Sequence, residues 1–249
     1  MQNKLFKYIF TICIFCSTNY IIAQKFINTA RVEYERKTYI KKILQESGDN
    51  DNSEWMARLP DYRTEYFDLY FSGNKSVYKT GKESDQKIPE WMSAGIISTV
   101  YTNTDSGTYF SQKQIYDQSY NIIDSLPHID WKITDDTRTI AGYTCRRATG
   151  RVCDSLFVVA FYTEEILLSG GPETFNGLPG LILGVVIPRM HMSWYATKVD
   201  FPEIKPEQTT PPATKKGKQI KLKAMLKELK ESVNDWGNWK NTLLWQAAM

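Results

Sequence analysis

Histidine is scarce in this sequence, in which His128 and His191 are the only two among 249 residues. A Ser-His-Asp or Cys-His catalytic centre would have to use one of them. Neither the Gly-x-Ser-x-Gly nucleophile elbow nor the His-Glu-x-x-His zinc pattern occurs. These absences exclude the common histidine-based hydrolase motifs, and the sequence predicts no catalytic residue.

Metal ligands are equally sparse. Met190-His191-Met192 brings thioether and imidazole ligands, which suit copper, into one segment. In an extended segment, however, the two methionines point one way and His191 points the other. Packing is therefore the better interpretation, and the sequence predicts neither a metal site nor a cofactor.

Two pairs of adjacent acids, Asp135-Asp136 and Glu164-Glu165, are the remaining candidates for chemistry. Paired carboxylates catalyse glycoside cleavage at defined separations, but neighbouring residues on a strand diverge. Solvated acids at turns and strand ends explain both pairs. A hydrolase whose carboxylates converge only in the fold stays open as the alternative function.

The N-terminal apolar segment is short. Lys4 and Lys7 precede the apolar stretch Tyr8–Phe15, and Ala23 stands before Gln24 where a small residue suits cleavage. This pattern predicts a signal peptide over residues 1–23 and a periplasmic or secreted protein. Loss of the two lysines lowers the net charge from +3 to +1, a value that gives no support for nucleic-acid binding.

Two other interpretations of the N-terminus are weaker. In a retained membrane anchor, Ser17–Asn19 would interrupt the apolar run well short of the about 20 residues that a spanning helix needs. In a lipoprotein, the acyl chain would be attached to Cys16, but bulky Phe15 stands immediately before it where a small residue is expected.

Cysteine is also rare, and two of the four cysteines, Cys13 and Cys16, lie inside the predicted signal peptide. Cys145 and Cys153 would remain in an oxidising compartment, which favours a disulfide over a metal or redox site. The alternative is a pair of unpaired, partly buried thiols on a hairpin. The sequence does not decide between them, because it does not give the Cα separation that a disulfide requires.

Alternating apolar residues and turn signals dominate the rest of the chain. Gly73-Asn74 and Asp105-Ser106-Gly107 each separate two aromatic-rich and β-branched segments, as in β-hairpins. The predicted strands are Ala30–Ile40, Tyr66–Ser72, Lys75–Thr80, Ser98–Thr104, Thr108–Lys113, Gln114–Ile123, Ile129–Ile133, Thr139–Thr149, Leu156–Thr163, Leu181–Ile187 and Met192–Phe201. The fold class is mainly β, with a curved antiparallel sheet or half-open barrel.

The predicted organisation has a β-rich domain over residues 24–201, a proline-rich linker over 202–219 and a C-terminal helix and tail over 220–249. Gln45–Pro60 is polar and predicts a loop. Ile220–Trp236 has apolar residues at helical spacing and lysines elsewhere around the helix. This amphipathic helix could dock on its own sheet, lie on an anionic membrane or bind a partner protein. Docking on its own sheet is the default.

The most distinctive string is Gly177-Leu178-Pro179-Gly180-Leu181-Ile182, which we call the signature hexapeptide. Pro179 at the second position and Gly180 at the third predict a type II turn. Leu181 and Ile182 then begin a buried strand. The hexapeptide is therefore predicted to be an architectural corner; the alternative is an exposed epitope that presents Leu178 and Pro179 to a partner.

The hexapeptide and three elements before it, all within 140–184, resemble one family pattern. The matching residues are Ile140, Gly142, Tyr143, Cys145 and Ala148, then Phe161, Tyr162, Thr163 and Ile166, then Gly171, Pro172 and Phe175. In this order they resemble the GLPGLI family, secreted proteins of Bacteroidota-type bacteria whose biochemical role is not established. The resemblance implies an exported β-rich protein, and it supplies no catalytic residues.

These observations favour a non-enzymatic binding or accessory role at the cell envelope. An aromatic-rich curved sheet is present, whereas no nucleophile–base or metal pattern is found in the sequence. The predicted partner is an apolar small ligand or an envelope protein. An apolar, aromatic cavity would support binding, and two buried acids facing each other in a cleft would support an enzyme.

Overall fold

The computed structural model of the protein describes residues 27–46, 54–86, 97–153, 156–213, 217–237 and 239–249. The predicted signal peptide, residues 1–23, lies outside the described residues. Among the helices of the described ranges, none combines the length and the apolar character needed to cross a membrane.

Strands dominate the described residues, and the mainly β prediction is confirmed. The strands are β1 (Thr29–Thr38), β2 (Arg63–Ser72), β3 (Lys75–Thr80), β4 (Ile97–Asn103), β5 (Thr108–Ile115), β6 (Gln118–Ser125), β7 (Lys132–Ile140), β8 (Tyr143–Val152), β9 (Leu156–Thr163), β10 (Leu181–Ile187), β11 (Met192–Asp200) and β12 (Lys218–Ile220). The α-helices are α1 (Ile40–Glu46), α2 (Glu54–Arg58), α3 (Leu222–Ser232) and α4 (Trp239–Ala248). Single 3₁₀ turns occur at Pro188–Met190 and Pro206–Thr209.

In the described part of the chain, twelve strands form one open, curved sheet in the order β12-β6-β5-β4-β3-β2-β1-β11-β10-β9-β8-β7. β1 to β6 form one antiparallel meander and β7 to β11 form a second. The antiparallel pairing of β1 with β11 joins the two meanders. The sheet is antiparallel throughout except for the short β12, which adds to β6 in parallel.

The sheet curves strongly enough for distant strands to touch across one face, here called the concave face. Tyr34 and Trp194 are fully buried on this face, as the alternating burial of β1 requires. The indole Nε1 of Trp194 on β11 donates a hydrogen bond of 3.1 Å to the hydroxyl of Tyr78 on β3. β1 and β2 separate these strands in the sheet, so the contact follows from curvature.

The connection between β9 and β10, residues 164–180, crosses the concave face. The ring of Phe175 packs edge-on against Trp194, with ring centroids 6.3 Å apart. Farther across the sheet, the hydroxyl of Ser98 on β4 donates to a carboxylate oxygen of Glu173 at 2.9 Å. The β9–β10 connection therefore links the two meanders through its side chains.

The predicted C-terminal helix is present, but it is shorter than expected. α3 ends at Ser232, and the segment after it forms the second helix α4. Met225 and Leu229 of α3 are buried in the main core, and the carboxylate of Asp124 on β6 accepts a hydrogen bond from the backbone N–H of Leu222 at 3.1 Å. Of the three arrangements considered from the sequence, the structure shows the helix docked on its own sheet.

Two other segments are more ordered than their composition indicates. The predicted loop Gln45–Pro60 overlaps the end of α1 and contains α2, where Arg58 and Glu54 form an ion pair of 3.1 Å. In the proline-rich segment, Ile204 and Thr209 are buried. These elements are too short for a helical period to reveal, and Leu59, just after α2, is buried with Ile40 and Leu44 of α1.

Candidate functional site

The signature hexapeptide lies inside the protein. Leu178 is 3% exposed, and Leu181 and Ile182 are completely buried. Leu181 pairs with Thr163 and Ile182 with Tyr162 on β9. The predicted burial of Leu181 and Ile182 is confirmed, and the side chains at this corner pack in the core rather than face solvent.

The turn itself differs from the prediction. A type II turn would place a hydrogen bond between the Leu181 N–H and the Leu178 carbonyl. Instead, the N–H of Gly180 donates to the Leu178 carbonyl at 2.8 Å, and the N–H of Leu181 donates to the Ile166 carbonyl at 3.1 Å. The φ of Gly180 is +152° rather than the about +80° of a type II turn, so the type II assignment is wrong.

Gly180 is nevertheless required, for a different reason. Its φ is +152°, and a Cβ at this position would lie 2.0 Å from the carbonyl oxygen of Thr163. No side chain fits there without moving the backbone of β9. The glycine thus permits the close approach of two strands at the corner.

The two histidines lie in unrelated surroundings. His128 is exposed and bonds Asp130 at 3.0 Å. His191 has a positive φ of 49° just after the 3₁₀ turn, and its Nε2 lies 2.9 Å from a carboxylate oxygen of Glu46. Among the described residues, no three His, Cys, Asp or Glu side chains are grouped so as to hold a metal ion.

The Met190-His191-Met192 segment is not extended as predicted, because Met190 closes the 3₁₀ turn. Both methionines are buried, 1% and 3% exposed, whereas His191 is partly exposed. The packing role predicted for the methionines agrees with this burial.

The adjacent acids are held in surface ion pairs. Asp136 pairs with Arg147 at 3.0 Å, and Glu164 pairs with Arg146 at 3.2 Å. The carboxylate of Glu165 accepts from the backbone N–H of Thr144 at 3.0 Å. These contacts are those of solvated strand-end acids.

The structure contains no disulfide between Cys145 and Cys153, one of the two alternatives that the sequence left open. Cys145 lies near the start of β8, and Cys153 follows the end of the same strand. Eight residues of extended strand separate Cα atoms by about 26 Å, far beyond the about 7 Å limit for a disulfide. Burial raises the pKa of Cys145 to about 11, so this thiol is unreactive at neutral pH.

Four charged residues and one serine that the sequence analysis did not select lie together on the concave face. We call Arg36, Glu65, Ser98, Lys113 and Glu173 the buried charge cluster. Four of them are almost inaccessible, with Arg36, Ser98, Lys113 and Glu173 exposed by 7%, 4%, 3% and 5%. Charged side chains are rarely buried to this extent without partners.

Arg36 is the centre of the cluster. Its guanidinium donates to Glu65 from Nε and Nη2, at 3.0 and 2.8 Å, and lies 3.7 Å from Glu173. The guanidinium also stacks over the ring of Phe67, 4.5 Å from its centroid. Burial alone would lower the pKa of Arg36, but the two carboxylates outweigh it and hold the pKa above its ordinary value.

The same contacts favour the charged form of Glu65. Burial alone would raise the pKa of Glu65, but Arg36 and Arg63 lower it below its ordinary value. Glu65 is therefore ionised at neutral pH and does not act as a proton donor.

Glu173 has a left-handed backbone with φ of 52°, a conformation that costs a residue with Cβ about 1–2 kcal/mol. Its contacts with Ser98 and Arg36 hold it there.

The sequence contained one signal for this cluster. Alternation along β1 places Arg36 on the same face as Val32 and Tyr34, so a charge had to be buried among apolar residues. No pattern could identify its partners, because Glu65 is on another strand and Glu173 is in an irregular connection.

A second candidate lies where α3 and α4 come together beside Cys153, the residue that follows β8. We call it the basic groove. Its volume is about 710 Å³, and it adjoins a cleft of about 990 Å³ with which it shares Cys153, Lys223, Leu226 and Ala248. Its floor contains the partly buried side chains of Leu226, Leu244 and Trp245, and its rim contains lysines of α3.

Three rim lysines, Lys223, Lys227 and Lys230, are exposed and share one face of α3, because their spacing is four and three residues. In the part of the chain that the structure describes, none of the three has an ion-pair partner. Neighbouring Lys218 and Lys221 differ, since they pair with Glu228 and Asp124. The groove therefore combines an accessible apolar floor with unneutralised positive charge.

A family model described as "Protein of unknown function (Porph_ging)" matches residues 150–184. This stretch contains Glu173 and the signature hexapeptide, and the family is associated with Bacteroidota. Over these residues the chain is similar to that family; the GLPGLI assignment by name stays a prediction. No curated protein matches the sequence.

Two solved structures, of PNGF-II in space groups P21 and C2, resemble the fold, each with a TM-score of 0.52. The sequence identities are 16% over 81% of this chain and 14% over 88% of it. The chain spans only 33% of the length of these PNGF-II chains. At such identities the likeness shows the fold alone.

Proposed function

We propose that the protein is a non-enzymatic binding protein of the cell envelope whose basic groove holds an amphiphilic anion. Such a ligand has one long apolar chain and one acidic head group. The observation that carries the proposal is the combination of an accessible apolar floor and three lysines without ion-pair partners among the described residues. The envelope location rests on the predicted signal peptide.

The lysines favour an acidic head group. Lys223, Lys227 and Lys230 repel one another along one helix face, where like charges four residues apart cost a few tenths of a kcal/mol, roughly as much as opposite charges gain. A carboxylate or phosphate between them would remove this repulsion and add charge-assisted hydrogen bonds.

The floor favours an apolar chain. Leu226, Leu244 and Trp245 would lose their remaining contact with water when covered, and each buried methylene of the ligand contributes about 0.8 kcal/mol. The adjoining cleft of about 990 Å³ lies at the upper end of the about 300–1,000 Å³ common for small-molecule sites. The chain of the ligand thus has room to continue past α3.

The buried charge cluster supports binding rather than catalysis. Its two carboxylates, Glu65 and Glu173, both contact Arg36 instead of facing each other across a cleft. A hydrolytic pair would need one carboxylate free to give up or take a proton.

Isothermal titration calorimetry with sodium laurate below its micelle concentration tests the proposal. Two probes separate the two parts of the ligand, since butyrate keeps the head group without the long chain and dodecyltrimethylammonium keeps the chain with the opposite charge. We expect one saturable laurate site and at least tenfold weaker binding of both other probes.

Variants locate the site. Lys227→Gln removes a positive charge from the rim, and Leu226→Glu places a negative charge on the apolar floor. Each should weaken laurate binding about tenfold, a loss of about 1.4 kcal/mol. Lys75→Gln, which removes an exposed lysine from the β2–β3 hairpin, is the matched control and should bind as the wild type does. Equal binding of the two charged long-chain probes, or binding only to anionic phospholipid vesicles, would overturn the proposal.

A further inference from the structure

The apolar floor of the basic groove has cations from two separate elements beside it. Lys223, Lys227 and Lys230 line the groove from α3. From the 3₁₀ turn after β10, the guanidinium of Arg189 stacks over the ring of Trp245, 5.3 Å from its centroid. Arg189 is exposed and, like the three lysines, has no ion-pair partner within the described ranges.

Acidic side chains do not offset these cations at the groove, whose described lining contains none. On α3, Glu228 is bound to Lys218, and Glu231 is exposed outside the groove. The whole chain carries a net charge of only +3. The local excess of positive charge is therefore a property of this surface and not of the overall composition.

The floor adds an apolar surface that solvent still reaches. Leu226, Leu244 and Trp245 are partly exposed, whereas Met225 and Leu229 on the other face of α3 are buried in the core. Tryptophan is enriched where a membrane meets water, because its ring is apolar and its N–H is polar. Cations beside accessible apolar side chains are typical of surfaces that bind the membrane interface.

We propose that this surface docks the protein on an anionic lipid bilayer. The three lysines and Arg189 contact lipid phosphates, and Leu244 and Trp245 enter the boundary between head groups and acyl chains. The apolar face of α3 stays in the core throughout, so this arrangement differs from a helix that lies on the membrane by its apolar side. A soluble polyanion would satisfy the cations but leave the floor exposed to water.

The partner is thus a lipid surface, which goes beyond the single molecule that the groove is proposed to hold. The two roles are compatible, because amphiphilic anions concentrate in bilayers. A groove that opens toward the head groups could take up such an anion without releasing it into water.

Sedimentation with vesicles tests the docking. We expect saturable binding to vesicles of phosphatidylglycerol and phosphatidylcholine in equal amounts, and no binding to vesicles of phosphatidylcholine alone. Binding should weaken with salt, because the Debye length falls from about 10 Å at about 0.1 M to about 3 Å at about 1 M. Failure to bind the anionic vesicles at low salt would overturn the inference.

Neutralising the rim tests the cations. A basic residue at an anionic lipid surface contributes about a factor of five to binding. The combined variant Lys223→Gln, Lys227→Gln and Lys230→Gln should therefore bind the anionic vesicles at least about thirtyfold more weakly.

The matched control removes the same charge from exposed lysines outside the groove, in the combined variant Lys75→Gln, Lys82→Gln and Lys132→Gln. It should lose less than about threefold, since only the screened, long-range attraction changes. Equal losses in the two variants would show attraction by net charge alone and would contradict a defined docking surface.

Lipids brominated near the head-group end of the acyl chains test insertion of the floor. They should quench the fluorescence of the wild type more than that of Trp245→Phe. Equal quenching, or binding to soluble polyglutamate as tight as binding to vesicles, would assign the surface to a polyanion and overturn the inference. Laurate titration of the same preparation separates the two proposals: laurate binding without vesicle binding rejects only the docking, and the reverse rejects only the bound ligand.

Discussion

The two meanders place different kinds of side chain on the concave face. On β8, β9 and β10 the buried inward residues include the small or apolar Ala148, Val158, Ala160, Ile182 and Val185. On β1, β2, β4 and β5 the inward face also carries Arg36, Glu65, Ser98 and Lys113. Apolar burial is non-directional and needs only a good fit, whereas buried charges need particular partners at particular distances.

This difference explains the position of the β9–β10 connection. The apolar meander anchors it at the signature corner, and the polar meander receives the side chain of Glu173. The connection thus places the carboxylate of Glu173, which follows the apolar meander in the chain, against Arg36 and Ser98 of the polar meander. If the comparison is correct, substitutions in the polar half should act through charge and those in the apolar half through volume.

The largest effect is expected from Arg36→Met. It leaves Glu65 and Glu173 without their shared cation, and breaking a buried ion pair typically costs about 3–5 kcal/mol. Urea unfolding measures the loss. Lys37→Met, on the opposite face of β1 with a surface ion pair to Glu35, should cost no more than about 1 kcal/mol. Equal losses would remove the distinction between the two faces.

Gly180→Ala should come next, at about 2–5 kcal/mol. A positive φ costs a residue with Cβ about 1–2 kcal/mol, and the clash with the Thr163 carbonyl adds the cost of overpacking, about 1–3 kcal/mol. Gly73→Ala is the matched control, because Gly73 also has a positive φ but open space around it. The difference between their free energies of unfolding measures the clash at the corner together with the cost of the larger φ at Gly180.

Glu65→Gln should lower stability at neutral pH by about 1–2 kcal/mol and change its pH dependence. The folded pKa of Glu65 is lower than the ordinary 4.5, so the unfolded chain binds the proton first as the pH falls. The stabilisation is complete above the unfolded pKa and is lost as the pH falls through the folded pKa. Unfolding free energies measured from pH 7 to pH 3 should therefore fall less steeply in Glu65→Gln; identical slopes would contradict the charge pairing.

The smallest effect is expected at the cysteines. Cys153→Ser should change stability by less than about 0.5 kcal/mol, as at an ordinary surface site, whereas loss of a disulfide would cost about 2–5 kcal/mol. Without reductant, a thiol reagent should label Cys153 in the native protein. It should label the buried Cys145 only after unfolding.

Much of the fold could be predicted because the strands carry their own pattern. Lys75–Thr80, Leu156–Thr163 and Leu181–Ile187 are found with the predicted bounds, since turn residues and buried runs mark both ends. The possible disulfide is absent from the structure because the turn after β8 comes at Cys153 rather than between the two cysteines. The residues between the two cysteines therefore form one extended strand, which keeps the cysteines far apart.

The candidate sites could be predicted much less well. Arg36 was visible as a charge on a buried face, but the approach of Glu173 depends on how residues 164–180 cross the sheet. The lysines of α3 were visible as the polar side of an amphipathic helix. Their role at a groove depends on α4, whose apolar residues have no helical period that would mark the groove's floor.

The pairing of β1 with β11 has a consequence for how the protein folds. The hydroxyl of Thr197 donates to the Glu33 carbonyl across this pair, over 164 residues of chain. Each meander consists of local hairpins, which form within microseconds, whereas pairing at such sequence separation slows folding greatly. We therefore expect the two meanders to form early and to join late. Arg36 and Glu173 would then meet only in that last step, and the middle of the sheet would be its slowest part to assemble.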